Sequence, residues 1–164
     1  MTAREIEIGW LGMDEALQLG LADLIALHWD EVALDKLAVP LAVDWAKYRQ
    51  LDRAGVLRGV GLKRRGKLVG YNVFFVQPTL HYSTSLWALN DVLYLDPDER
   101  RGMAGARLVK QAERLLAEVG VKKIIYHTKL HLRSLGRDPE HGTVGDLLSR
   151  LGYTHVENVY AKMI

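Results

Sequence analysis

The chain has 164 residues, of which 49% are hydrophobic and 26% are charged. This length is typical of one domain, and this composition is that of an ordinary globular protein, neither disordered nor fibrous. The sequence contains no cysteine, which excludes a disulfide framework, a thiolate zinc site and a cysteine nucleophile. We therefore predict a single domain over residues 1–164.

The charge and hydropathy patterns bear on location and partners. Met1–Trp10 carries two glutamates and lacks the apolar stretch of a signal peptide, and no apolar run reaches the ~18 residues that a membrane span needs. We expect a cytoplasmic protein without membrane contact. The net charge of +2 is mild, so nucleic acid is not expected as a partner, and the basic cluster at residues 63–67 is interpreted as a solvated hairpin tip.

The first half of the chain shows two helical periodicities followed by a pattern typical of strands. Apolar residues recur at helical spacing before and after Pro40, and β-branched and aromatic residues then flank the turn at Gly66. In chain order these signals predict a strand at Glu5–Trp10, a helix from Asp14 to Leu34, a helix at Val43–Leu51 and a hairpin of Val56–Lys63 and Lys67–Val76.

In the second half, proline and glycine mark the expected boundaries. Pro78 is expected to end the hairpin, and an amphipathic pattern that stops at Gly120 predicts the longest helix. In chain order we predict a polar loop at Thr79–Ser85, a strand at Leu86–Leu95, the long helix up to Val119, a strand at Val121–His127, a loop at Leu130–Gly142, a helix at Thr143–Leu151, and strands at Tyr153–Val156 and Val159–Met163.

A turn rich in small residues connects the strand that ends at Leu95 to the long helix. The N-terminus of a helix offers unpaired N–H groups and the positive end of the dipole, which suit a diphosphate. Arg100 and Arg101 can add charge-assisted bonds. Phosphate oxygens can approach the backbone because four side chains of the turn are small, those of Gly102, Ala104, Gly105 and Ala106. The alternative is a plain strand–turn–helix connection.

The turn resembles the coenzyme A motif of the GNAT N-acetyltransferase family, a strand followed by Arg/Gln-x-x-Gly-x-Gly/Ala and a helix. Anchored on Arg100, the motif has Met103 at the first glycine and Gly105 at the second; anchored on Arg101, it has Ala104 and Ala106 at these positions. The resemblance covers the chain from Val56 onward and includes Asn90–Pro97. It implies an α/β (α+β) GNAT fold with a mixed six- to seven-stranded sheet, helices on both faces, and splayed fourth and fifth strands.

The resemblance also implies the cofactor and its contacts. The cofactor would be acetyl-CoA or another acyl-CoA, whose pantetheine arm lies in the gap between the splayed strands and bonds to the backbone of the fourth strand. Tyr94 would point to the other side. The implied cofactor-binding residues are Leu93, Tyr94, Leu95, Arg100, Arg101, Gly102, Met103, Ala104, Gly105 and Ala106.

Direct acyl transfer to an amine requires a base, and the family often places a carboxylate where Asp91 stands. A structural acid paired with Lys or Arg is the open alternative. The candidate acids are His127, at the end of the predicted fifth strand, and His141, with no acid at all as a third possibility. For His127 the alternative is a packed strand-end histidine. The family's tyrosine and asparagine positions correspond here to Leu148 and His141, so no tyrosine acid is predicted.

The acceptor contacts follow from the resemblance too, since the first helices of this fold wall the acceptor site. His28 and Glu31 are implied there, and His81 and Tyr82 could cover the same mouth. The acceptor would be a small-molecule or protein amine. The six histidines lack a close metal-binding spacing, so no metal is predicted.

The sequence therefore predicts an acyl-CoA-dependent N-acyltransferase, and more narrowly an N-acetyltransferase. A second hypothesis rests on His28–Glu31, His81–Tyr82, Asn90–Asp91 and Gly152–Tyr153, which look like a GNAT subgroup of phage and prophage genomes. Such a protein would modify a specialised acceptor, a modified base or virion protein, or serve a non-catalytic structural role. The resemblance leaves room for a homodimer formed through the C-terminal strands.

Overall fold

The computed structural model describes residues 6–129 and 143–164. The predicted loop at Leu130–Gly142, with His141, lies outside these residues. The backbone divides into two compact units, Met1–His127 and Thr128–Ile164, and each is considered by itself. Among the described residues, no helix combines the length and the apolar character needed to cross a bilayer.

The first unit is built on a mixed five-stranded sheet whose spatial order is the order along the chain. Each neighbouring pair is antiparallel except the last, β4 with β5, which is parallel. A parallel pair needs a crossover connection, and the long helix between these two strands supplies it. The strands are β1 Ile6–Trp10, β2 Leu57–Arg64, β3 Lys67–Thr79, β4 Tyr82–Leu95 and β5 Lys123–Ile125.

The helices agree with the predicted order, with one break. The helix expected from Asp14 to Leu34 is two helices, because Gly20 adopts a left-handed conformation with φ of 95°. The helices are α1 Met13–Gln18, α2 Leu21–Val32, α3 Trp45–Arg53, α4 Ala104–Glu118 and, in the second unit, α5 Val144–Arg150, with a short 3₁₀ helix at Pro97–Glu99.

Two apolar cores lie on opposite faces of the sheet. Alternate residues of β3 divide between them: Phe74 packs with α4, whereas Tyr71 packs with α1, α2 and α3. Leu108 of α4 is fully buried in the first core, and burying such a side chain stabilises the fold by about 1.5–3 kcal/mol. The prediction of helices on both faces of an α/β sheet is confirmed.

β3 and β4 are longer than predicted and form a second hairpin. Pro78 does not end the strand, and no polar loop separates Thr79 from Ser85, since β3 runs to Thr79 and β4 begins at Tyr82. Pro78 is tolerated because the ladder is irregular between it and Thr79, where a missing N–H costs little.

The predicted C-terminal strands are wrong. Residues 153–164 are described, yet none of them pairs in a ladder, and the apolar side chains of this segment, such as Val159 and Ile164, are exposed. The described sheet therefore has five strands instead of six or seven. The helix before this segment does form, and Thr143 and Asp146 close a reciprocal capping box at its start.

Candidate active site

A gap opens in the sheet where β4 and β5 part. The two strands pair only at three positions, Trp87 with Lys123, Ala88 with Ile124 and Leu89 with Ile125. Beyond Leu89, β4 continues to Leu95 bonded to β3, and among the described residues no strand pairs with its other edge. The splay predicted for the fourth and fifth strands is therefore present, and it begins at Leu89.

Two residues of β4 direct their backbone groups into this gap. The N–H of Asp96 donates to the Val69 carbonyl at 2.8 Å, so it points toward β3. Successive N–H groups of a strand point to opposite edges, which turns those of Leu93 and Leu95 toward the gap. The Leu95 carbonyl accepts from Nε of Arg100 at 2.8 Å, whereas the N–H groups of both leucines remain on the open edge.

A β-bulge lies at the start of the open edge. Phe74 pairs with Asn90 and Val73 with Val92, so Asp91 is an extra residue of β4. A bulge redirects the side chain that it carries. Asp91 is exposed and interacts with the Tyr48 hydroxyl of α3, which places its carboxylate on the α1–α3 face. Burial first, and then the charge of Asp91, raise the pKa of Tyr48, so this hydroxyl keeps its proton.

A group of aromatic rings adjoins Asp91 on the same face. Nδ1 of His28 lies 2.8 Å from the Tyr71 hydroxyl, and the imidazole stacks on Tyr94 with ring centroids 4.7 Å apart. Burial is the main cause that raises the pKa of Tyr71, with further contributions from Tyr94, Tyr48 and Asp91. His28 is thus packed between two tyrosines instead of projecting into open space.

Glu31 and Arg100, predicted for different subsites, bind each other. The two terminal nitrogens of Arg100 donate to the two carboxylate oxygens of Glu31 at 2.7 and 2.6 Å. The guanidinium also lies 5.3 Å from the ring centre of Tyr94. Burial acts to lower the pKa of Arg100, but the hydrogen bonds and charge of Glu31 outweigh it and the net shift is upward. The pair therefore joins α2 to the turn that follows β4.

The turn before α4 leaves the helix start open. Gly102 has φ of 87° with no atom near the position of a Cβ, and Met103 occupies the N-cap without a side-chain hydrogen bond. The Met103 side chain is 69% exposed and does not plug the corner. Ala104 and Ala106 are buried, so the first-turn N–H groups are flanked by small residues.

A family model described as the acetyltransferase (GNAT) family matches residues 21–135 of the chain. The chain belongs to the GNAT acetyltransferase family. It is accordingly an acetyltransferase, and its acyl donor is acetyl-CoA. No curated protein sequence matches it.

Solved acetyltransferase structures share the fold over nearly the whole chain. An aminoglycoside acetyltransferase from an uncultured soil metagenomic sample has a TM-score of 0.72 at 14% identity, covering 100% of this chain and 99% of that one. A ribosomal-protein-alanine N-acetyltransferase from Brucella melitensis has 0.67 at 19%, covering 97% and 99%. A predicted acetyltransferase from Clostridium acetobutylicum, solved with acetyl-CoA, has 0.65 at 11%, covering 96% of each chain.

The described residues of this acetyltransferase fit acetyl-CoA. The unpaired N–H groups at the start of α4 suit a diphosphate, and the open space beside Gly102 lets it approach the backbone. The edge of β4 offers amide groups at Leu93 and Leu95 for a pantetheine arm. Arg101 is exposed at the rim of the turn, and Gly105 is half-buried in the first helical turn.

Other predicted site residues lie elsewhere. His127 is exposed and two residues beyond the last residue of β5, on the far side of the gap from Asp91. His81 and Tyr82 form the tip of the β3–β4 hairpin, where Tyr82 stacks on Trp87. Thr79 pairs with Tyr82 and Phe74 with Asn90, a length of β3 that spans about 17 Å. His81 and Tyr82 therefore do not cover the mouth beside Asp91.

A buried polar chain that was not predicted from the sequence lies beneath the bulge. Nδ2 of Asn90 donates to Oδ1 of Asn72 at 2.9 Å, and Nδ2 of Asn72 donates to the Tyr126 hydroxyl at 2.8 Å. Burial is the main cause that raises the pKa of Tyr126. The available signal was an asparagine inside the otherwise apolar run of β3, where a buried amide requires partners. In the described part of the chain, Asn72 and Asn90 are the two buried polar residues.

Proposed function

We propose that the protein is an N-acetyltransferase that transfers an acetyl group from acetyl-CoA directly to an amine. The observation that carries this proposal is the order of three structural features along one segment of the chain. The bulge with Asp91, the open edge at Leu93 and Leu95, and the uncapped start of α4 follow one another within residues 91–106. Such an arrangement brings a candidate base, a site for an extended arm and an anion site into line.

The residues of the turn and strand would hold the donor. Amide hydrogens of residues 103–106 would bind its diphosphate, with Arg101 adding charge from the rim, and the edge of β4 would bind its pantetheine arm. When bound, acetyl-CoA supplies the acetyl group as a thioester. An N–H on the open edge can orient and polarise its carbonyl oxygen. Arg100 contributes through its pair with Glu31, which fixes the turn relative to α2.

Asp91 would prepare the acceptor. An amine attacks only when its nitrogen lone pair is free, so an ammonium must first lose a proton. The Asp91 carboxylate is exposed and can take that proton, directly or through one water. The Tyr48 hydroxyl keeps its own proton and donates a hydrogen bond to the carboxylate, which fixes the position of the carboxylate.

The acceptor is proposed to be an amine of a small molecule or a protein. Related folds belong to enzymes named for aminoglycosides, glucosamine 6-phosphate and ribosomal-protein alanine, which all present amines. In this chain α2 walls the same side of the sheet as Asp91, and His28 and Glu31 shape that wall through Tyr94 and Arg100. The phage-type acceptor or structural role stays a hypothesis of the sequence.

A negative charge added at the start of α4 tests the donor site. Gly105→Glu places a carboxylate in the first turn of α4. The helix dipole stabilises a negative charge there, but that charge repels a diphosphate. Gln111→Glu adds the same charge farther along the same helix. We expect Gly105→Glu to fold and to lose acetyl-CoA binding in calorimetry, and Gln111→Glu to bind as the wild type does. Equal binding by both variants would remove the diphosphate from this turn.

A further inference from the structure

The buried polar chain lies where the sheet changes its pairing. Asn72 is fully buried and Asn90 is 3% exposed. Burying an amide costs free energy unless its hydrogen bonds are made, so such a chain is retained only where its bonds are satisfied. Asn90 lies at the bulge of β4, and Tyr126 lies just past the end of β5. These two irregularities create the open edge of β4.

Asn90 holds the bulge from inside the core. The two hydrogens of its Nδ2 are shared among three acceptors, which are the Val73 carbonyl at 3.1 Å, the Val92 carbonyl at 3.0 Å and Oδ1 of Asn72. Val73 and Val92 are the paired residues immediately beyond Asp91, so the amide of Asn90 bonds across the bulge to both strands. A side chain without N–H groups at position 90 would leave the two valine carbonyls without this hydrogen-bond donor. β4 could then shift its register against β3.

Tyr126 extends the chain across the sheet. It follows the last residue of β5, yet its hydroxyl accepts from Asn72 of β3 and its ring packs edge-on against Phe74 with centroids 5.6 Å apart. The phenol therefore passes beneath β4, because β4 lies between β5 and β3 in the sheet. The end of β5 is thereby tied to the central strand although its ladder with β4 has ended at Ile125.

We infer that Asn90 is a positioning residue which, with Asn72 and Tyr126, fixes the bulge and the width of the gap and thereby aims Asp91. This inference rests on the proposed function for its catalytic consequence. Asn90 faces the α4 core and Asp91 faces α3, so Asn90 acts on the reaction only through the backbone that it holds. Neither asparagine is assigned a contact with the acceptor or with the donor.

The test compares Asn90→Leu with Val76→Ala, a buried variant of the same core that leaves the polar chain intact. Hydrogen exchange of the backbone amides should show faster exchange across residues 90–95 in Asn90→Leu than in Val76→Ala at equal loss of Tm. In turnover, Asn90→Leu should lose about tenfold or more in kcat, because a misplaced base costs rate, while KM for acetyl-CoA changes by a smaller factor because the helix start that binds the diphosphate is intact.

Two further variants keep the inference falsifiable if Asn90→Leu does not fold. Asn90→Ser retains a short donor and should recover part of kcat, and Tyr126→Phe should reproduce the exchange change to a smaller degree. Exchange across residues 90–95 equal to that of Val76→Ala in every one of these variants that folds would overturn the inference. If the wild type binds no acetyl-CoA, the proposed function fails, and the exchange measurement still decides whether Asn90 holds the bulge.

Discussion

Arg100 and Glu31 form a two-pronged ion pair across 69 residues of sequence, with nitrogen–oxygen distances of 2.7 and 2.6 Å. Both side chains are about one-third exposed, at 36% and 30%, so solvent screens their charges only in part. The pair fixes the turn that precedes α4 against the end of α2. It links the proposed donor site to the wall of the proposed acceptor site.

A double-mutant cycle should measure this link. We expect Glu31→Gln and Arg100→Gln to be coupled by about 1 kcal/mol of unfolding free energy, because the contact is bidentate and partly shielded. Chemical denaturation of the four proteins gives the value. The exposed pair of Arg114 and Glu118 within α4 is the control, with an expected coupling of about 0.3–0.5 kcal/mol. Equal coupling in both pairs would contradict the role assigned to Arg100.

Asp91→Asn should separate catalysis from donor binding. Loss of a general base lowers kcat by about 10²–10⁴-fold, whereas the affinity for acetyl-CoA should be unchanged because the helix start is intact. Steady-state kinetics and calorimetry measure the two effects. Asp96→Asn, the same change just after β4, keeps a side-chain oxygen that can cap the 3₁₀ helix and is the control. A wild-type kcat in Asp91→Asn would exclude Asp91 as the base.

Gly102→Ala should weaken both stability and donor affinity. An alanine at φ of 87° costs about 1–2 kcal/mol, and relief of that strain would move the turn that presents the N–H groups. Gly66→Ala, at φ of 76° in the β2–β3 turn, carries similar strain far from the site along the chain and is the matched control. Both variants should lose similar stability in denaturation, and only Gly102→Ala should bind acetyl-CoA less tightly.

The buried tyrosines predict a loss of stability in alkali. Folding raises the pKa of Tyr71 and Tyr126 above their ordinary value of 10.0, mainly through burial. Below pH 10 both states hold the proton and no stability is lost. Above it the unfolded chain ionises first, so each tyrosine removes about 1.4 kcal/mol of unfolding free energy per pH unit until its folded-state pKa is reached.

Denaturation between pH 9 and 11, read by tyrosinate absorbance, checks this slope, over a range that brackets the ordinary tyrosine pKa of about 10. Tyr71→Phe should be less stable at neutral pH, since the bond to His28 is lost, yet its stability should fall less steeply in alkali. Tyr160→Phe, at a position that is 88% exposed, should keep the wild-type slope. An unchanged slope in Tyr71→Phe would show that Tyr71 ionises as readily in the folded chain as in the unfolded chain.

Most of the fold and part of the site follow from sequence pattern. The amphipathic run that ends at Gly120 and the small residues after Arg101 locate the long helix and its open start, because periodicity and residue size are local properties. The break at Gly20 and the continuation of β3 through Pro78 were mispredicted, since each depends on what the neighbouring segment permits.

The tertiary contacts were beyond a single sequence. Nothing local to Tyr48 indicates that its hydroxyl meets Asp91, and nothing local to Arg100 indicates that it would bind Glu31 instead of standing free for phosphate. Asn72 was visible as a polar residue in an apolar strand, but its partner Tyr126 lies 54 residues away. Such pairs are set by the topology of the sheet, which places distant segments side by side.

The bulge gives β4 one residue more than the strand it pairs with, and that residue is Asp91. Because side chains alternate between faces, removing it would close the ladder and leave Tyr94 and Leu95 on the sides they now occupy. The acidic group and the irregular backbone thus arise from a single insertion. A strand without it would be more regular, would still fold around both cores, and would lack the carboxylate that we propose as the base.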